Sequence, residues 1–167
     1  MNLETMLEIQ SGMDAKTEKH RTHAKDSLWL VTELGELANE WGGFKYRHQS
    51  KGTARERLLD EYVDVLSILL SLGLYNRFFP LHNGSAESGF LYKSRDVNRQ
   101  FLKLFGEAVQ LYKKDMDAAG FTCFFRRFLA LGDMLGLSVH EIEAAYFKKQ
   151  ERNQARMIAK QREGLRC

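Results

Sequence analysis

Three glutamates fall within eight positions of an apolar helical pattern in TELGELANEWGGFKYR, residues 32–47. Glu33, Glu36 and Glu40 have no lysine or arginine between them, and the basic residues wait until Lys45 and Arg47, after two glycines. Leu30, Leu34, Leu37 and Trp41 form the core stripe of this segment, and the acids line one flank of it. Like charges at this spacing repel by roughly a few tenths of a kcal/mol per pair on an exposed helix. Beside a desolvated core the cost rises. Two readings stand: a solvated helix face, or a site for a cation that is not part of the chain.

A second segment repeats the theme. DEYVDVLSILLSLG places Glu61 and Asp64 three apart inside an otherwise apolar run. Two helices with an acid-x-x-acid pair each bring four carboxylates together if they pack antiparallel. Such a cluster suits a hard divalent cation with oxygen ligands. No histidine takes part, so the Glu-x-x-His pattern of di-iron bundles is missing. All-oxygen ligation points to magnesium or manganese, and magnesium held by carboxylates usually acts on phosphate-bearing substrates. The plainer reading is a continuous polar stripe of Arg57, Asp60, Glu61, Asp64, Ser67 and Ser71 facing water. Against it, Ser67 and Ser71 are small, which suits close approach of another helix.

The last segment carries the opposite charge. From Lys148 come Lys149, Arg152, Arg156, Lys160, Arg162 and Arg166, against only Glu151 and Glu163. Ile142 and Tyr146 begin an apolar stripe, and the same face continues as Lys149, Asn153 and Arg156. A stripe that starts as core and turns to Lys, Asn and Arg can aim donors at phosphate, arginine in a bidentate grip. The alternative is a basic terminal helix in water. Lys45 lies between Phe44 and Tyr46 just after the acidic segment. A cation between two aromatics can hold phosphate while a ring stacks on a base, although packed loop aromatics explain it as simply.

The elements that must position these groups are helices. The chain has 167 residues, 44% apolar and 28% charged, with one proline. That length fits one domain, residues 1–167, with a real core. Six helical segments can be read: about Leu3–His20, Asp26–Trp41, a third opened by a Thr53/Glu56 capping box and running to Tyr75, Arg95–Ala119, Thr122–Leu135, and a sixth opened by a Ser138/Glu141 capping box and running to Arg162. NRFFPLHNGSAESG, after the third, reads as a connection of about a dozen residues. No segment reads as a strand, so the expected fold is an all-α helical bundle of about six helices. Cys123, in FTCFFRRFLALG, reads as a small buried hydrophobe, and the aromatics around it as core or interface. The net charge of +3 is too mild to mark a nucleic-acid binder. The apolar runs are too short for a bilayer. A reducing cytoplasm and no stable membrane or nucleic-acid partner are expected.

ELGELANEWGGFKYR, then EYVDVLSILLSLGL, then YFKKQERNQARM together resemble three motifs of the all-α nucleoside triphosphate pyrophosphatases. The dimeric dUTPase type is the nearest branch, with MazG-like proteins as wider relatives. The resemblance covers the chain to residue 75 and again residues 138–160. It implies magnesium-dependent hydrolysis of a nucleoside triphosphate, dUTP first, to monophosphate and pyrophosphate. It implies Glu33, Glu36, Glu61 and Asp64 as metal ligands, with Glu33 also orienting the attacking water and Glu40 in a supporting place. Gln10 would help read the base. Lys45, Tyr46, Tyr146, Lys149, Asn153 and Arg156 would contact substrate. A homodimer is implied as well. Three departures touch the substrate side: Ser67 where histidine is common, Gln150 where asparagine is common, and EGLRC where the motif usually ends in Gly-Tyr. They leave open a MazG-like enzyme for another nucleotide, such as dCTP or a modified one, and a helical binding module without activity.

Overall fold

A computed structural model describes residues 1–15, 21–46, 55–78, 91–113 and 117–164. Among the described residues there are six helices and no strand: α1 (Leu3–Asp14), α2 (His23–Trp41), α3 (Arg55–Tyr75), α4 (Val97–Lys113), α5 (Ala118–Met134) and α6 (Val139–Gly164). The all-α bundle expected from periodicity is the observed architecture.

The helix ends follow local chemistry. The Asn2 side chain accepts from the Thr5 amide at 3.2 Å and starts α1. Thr22 does the same for α2 through the Lys25 amide, so α2 starts three residues before Asp26. Gly42 ends α2 in the left-handed region at φ 68°, its N–H returning to the Ala38 carbonyl. Gly43 must also lack a side chain, because a Cβ there would run into the Trp41 ring. At α6 the capping box is complete: the Ser138 amide donates to Glu141 Oε2 at 2.9 Å, and the Glu141 amide donates to Ser138 Oγ at 3.3 Å.

Some boundaries differ from the pattern. The described part of the fourth helix ends at Lys113, with residues 114–116 outside the described residues; Asp117 accepts from the Gly120 amide at 2.7 Å and caps a new helix, so the expected run to Ala119 is not one helix. Ala118 and Ala119 therefore belong to α5. The described part of the first helix ends at Asp14, with residues 16–20 outside the described residues. Thr53 and most of the connection after Tyr75 also lie outside them.

The long α3 is the centre of the molecule. Leu58, Tyr62, Val63, Val65, Leu66, Ile68, Leu69, Leu70 and Leu72 are all buried, so apolar side chains leave it in nearly every direction. It packs against α1, α2, α5 and α6. On α5 the face toward this core is Phe121, Phe124, Phe125 and Phe128, all fully buried. Tyr62 stacks on Phe128 at 4.4 Å between ring centroids, and its hydroxyl donates to the Phe128 carbonyl at 3.2 Å. The aromatics of this segment are thus core, and Cys123 between them points to solvent, contrary to its expected burial.

Candidate metal centre and anion pocket

α2 and α3 run antiparallel: Glu40 of α2 pairs with Arg57 of α3 at 3.0 Å, whereas Glu33 reaches Glu61 and Asp64 further along. A helix buried on most sides has few places for a charge. Asp60, Glu61 and Asp64 sit where α3 is flanked by the polar edges of α2 and α6. Glu33, Glu61 and Asp64 each bring one carboxylate oxygen to within 4.8 Å of the others, and all three are half-buried. Glu36, expected as a fourth ligand, is exposed and is not one of these three.

The triad is short of positive charge. The Glu61 carboxyl is held above the ordinary carboxylate range, first by burial and then by repulsion from Glu36, Glu33 and Glu40, with Lys149 opposing. Three convergent hard oxygens with surplus negative charge fit a divalent cation such as magnesium or manganese. Glu33 is also oriented from outside, because Trp29 Nε1 donates to its Oε1 at 2.9 Å.

The basic face of α6 meets this cluster. Lys149 is ion-paired with Asp64. Burial lowers the pKa of its ammonium, while Glu33, Asp60 and Glu61 pull it back up. Arg152 Nη2 donates to Asp60 Oδ1 at 2.9 Å, and Lys148 Nζ to Glu56 at 3.1 Å. Asp60, Asp64, Lys149, Arg152, Asn153 and Arg156 line a cavity of about 310 Å³. Three of the expected substrate contacts, Lys149, Asn153 and Arg156, therefore surround one cavity with Asp64 at its edge. One wall supplies cations and amide, the other carboxylates. Donors facing carboxylates in this way can take an anion together with a cation.

The remaining expected contacts are placed differently. Tyr146 is fully buried; its hydroxyl donates to the Met6 carbonyl at 3.0 Å and lies 3.2 Å from Gln10 Oε1. Burial raises the Tyr146 pKa well above that of a free phenol. Gln10, also buried, donates to Asp14 at 2.9 Å and accepts a long contact from Gln150 Nε2 at 3.5 Å. Gln150 lies 3.4 Å from Ser67 Oγ as well. Two of the departures from the family motif are therefore neighbours in space, next to Gln10. Lys45 is held by Asn39, at 2.6 Å to Oδ1 and 3.1 Å to the carbonyl, and Tyr46 is fully exposed. Asp60, Arg152 and Trp29 join the site without having been singled out for it. Arg152 and Arg156 share a face at i and i+4, and Trp29 and Glu33 have the same spacing, so the signal was present.

A family model described as dUTPase matches residues 2–160. No curated protein and no solved structure matches the chain. The match runs through all three motifs and through the helices between them that the motif resemblance left generic.

Proposed function

The chain belongs to the all-α dUTPase family of the MazG-like type, and on that premise we propose that it hydrolyses dUTP to dUMP and pyrophosphate. The observation that carries this reading is the Glu33, Glu61 and Asp64 triad beside the cavity walled by Lys149, Arg152, Asn153 and Arg156. Glu33, Glu61 and Asp64 would hold magnesium, or manganese, with Glu36 completing the set. When bound, the ion neutralises phosphate charge and polarises the α-phosphorus.

The chain's own groups do the rest. Glu33, with Trp29 fixing one oxygen, uses the other to orient a water in line with the α-phosphorus and to take its proton. The water oxygen bonds to the α-phosphorus, and the bond to the α,β-bridging oxygen breaks. Pyrophosphate departs with the charge that Lys149 and Arg156 offset. Arg152 and Asn153 hold the non-reacting phosphates. Such placement of donors is most of what phosphoryl chemistry asks of a protein.

Ser67 lies one turn past Asp64 on α3, and the cluster it forms with Gln150, Gln10 and Tyr146 is the proposed base-reading end, approached by substrate from the partly exposed Ser67. Lys45 and Tyr46 are proposed to reach the substrate from the turn after α2. Because Ser67 and Gln150 contact each other there, a second reading keeps the chemistry and changes the base, to that of dCTP or a modified nucleotide. We also propose a cytoplasmic homodimer; the exposed Leu102, Val109 and Tyr112 on one face of α4 support an association surface.

The deciding experiment is a magnesium-dependent assay over canonical and modified nucleoside triphosphates, reading monophosphate and pyrophosphate. dUTP turned over fastest supports the first reading, and another nucleotide the second. If Glu61→Gln turns over substrate at the wild-type rate, the role given to the carboxylates is wrong. Absence of hydrolysis across the panel leaves a binding module.

A further inference from the structure

Among the described residues, Lys149 is the cation ion-paired with a member of the triad. We infer that Lys149 is an internal competitor for the metal: its ammonium and a divalent cation claim the same carboxylate, Asp64, and metal uptake hands Lys149 over to the substrate's phosphates. The second half rests on the pyrophosphohydrolase reading; the first does not.

The geometry separates Lys149 from Lys148 and Arg152. Lys148 is committed to Glu56 and Arg152 to Asp60, neither of which belongs to the triad. Lys149 is paired with Asp64, which does belong to it. The Lys149 side chain is only 14% exposed, against 38% for Asp64. Its stem is packed, and its head is presented to the acids and not to water. A hard divalent ion needs the Asp64 oxygen at bonding distance. An ammonium on Asp64 Oδ1 takes up charge of the same carboxylate that the ion would use, so the two compete for it.

The displaced head has somewhere to go. Lys149 also lines the cavity of about 310 Å³ with Arg152, Asn153 and Arg156. A four-carbon stem lets a compact point charge swing between two acceptors, which a planar guanidinium does less readily. One rotation of the stem would take the ammonium from the acidic wall to the anion-binding wall. The lysine is then delivered to phosphate only when a cation has replaced it on Asp64. That makes the order of assembly metal first, nucleotide second.

The test is Mn²⁺ binding by calorimetry without nucleotide, on the metal-stripped 167-residue chain and on K149M, K149R and R152M. Removal of the competitor should tighten Mn²⁺ binding about five- to tenfold in K149M. K149R should stay near wild type, and R152M should change by less than about twofold. Equal tightening in K149M and R152M would mean a general field and no competition, and overturns the inference. Unchanged or weaker binding in K149M, or no metal binding by wild type, overturns it too. Should K149M fail to fold, the wild type decides. In lysine-labelled protein the Lys149 side-chain resonance, assigned by its loss in K149R, should move on adding Mg²⁺ while that of Lys148 stays; a stationary Lys149 signal refutes competition. With Mg²⁺ present, K149M should bind a non-hydrolysable dUTP analogue about tenfold more weakly, and equal affinity refutes the hand-over. A chain that binds Mn²⁺ and moves Lys149 but hydrolyses no nucleotide keeps the competition and loses the pyrophosphohydrolase reading.

Discussion

Glu61 shows what the acidic site costs and what it is for. Its carboxyl sits above the ordinary range because burial and three neighbouring glutamates disfavour its charge. A carboxyl with a raised pKa in the folded state works against folding when ionised, and the penalty fades as pH falls through the raised value. Glu61→Gln should therefore melt at a higher temperature than wild type at neutral pH in metal-free buffer. The gap should close on mild acidification, when wild type becomes protonated there as well. The same substitution should lose metal binding, and thermal melts with and without Mn²⁺ at several pH values check both. If Glu61→Gln is no more stable than wild type at neutral pH, the strain assigned to the triad is absent. Trp29 makes the companion case. Its indole N–H holds Glu33 at 2.9 Å while the ring itself is 53% exposed. Groups that orient ligands are typically worth about tenfold or more in activity. Trp29→Phe should lower kcat by about tenfold with KM nearly unchanged, and steady-state kinetics on the preferred nucleotide separates this from a loss of substrate binding.

Among the elements, α3 positions the acids. Its burial on most sides forces its few charges into the edges that α2 and α6 flank, which is why acids thirty residues apart in sequence meet. α3 meets α5 where Tyr62 stacks on Phe128. Gly132 on α5 faces Tyr62, and a Cβ there would lie 2.6 Å from the Tyr62 hydroxyl oxygen and 2.8 Å from the ring carbon that carries it. Neither the stacked ring nor the Tyr62 hydroxyl, which is bonded to the Phe128 carbonyl, can retreat easily. Gly132→Ala should destabilise the fold by about 1–3 kcal/mol despite the better helix propensity of alanine. Urea unfolding measures it, and an unchanged midpoint would show that Tyr62 has room to shift. The capping box of α6 acts at the other end of the site. Arg55 of α3 donates from Nε to Glu141 at 2.6 Å and from Nη2 to the Gly136 carbonyl at 2.7 Å, tying the start of α6 to the start of α3. Together with Ser138, Arg55 holds the Glu141 carboxyl well below the usual carboxylate range.

For the whole molecule, the proposed metal site makes stability depend on the cation: burial and repulsion around Glu61 oppose folding, and a bound divalent ion would offset them. A ligand that binds only the folded state stabilises it by about 2.7 kcal/mol at a hundredfold excess over Kd. For a domain of this size that is a rise in Tm of about 5–10 °C. Mg²⁺ should produce that rise in wild type and none in Glu61→Gln, as read by differential scanning fluorimetry. No helix among the described residues is long and apolar enough to cross a membrane.

Whatever the period of a single helix sets was legible along the chain. It put Glu33, Glu36 and Glu40 on one flank of Leu30, Leu34 and Leu37, put Glu61 and Asp64 in an apolar run, turned the α6 stripe from Tyr146 to Lys149, Asn153 and Arg156, and closed the Ser138/Glu141 box. Those are local facts, because 3.6 residues per turn assign a face without reference to any other element. It failed where two local signals competed: the helical pattern reads through to Ala119, whereas the Asp117 cap starts a new helix at Ala118. Tertiary structure decided how the faces meet. The crossing of α2, α3 and α6 selected Glu33, Glu61 and Asp64 as the close triad, brought Lys149 onto Asp64, and enclosed Tyr146 and Gln10 in a buried hydrogen-bonded cluster. Helix register and crossing are set by core side chains far apart in the chain, so no spacing along one helix could reveal which carboxylate would find a lysine.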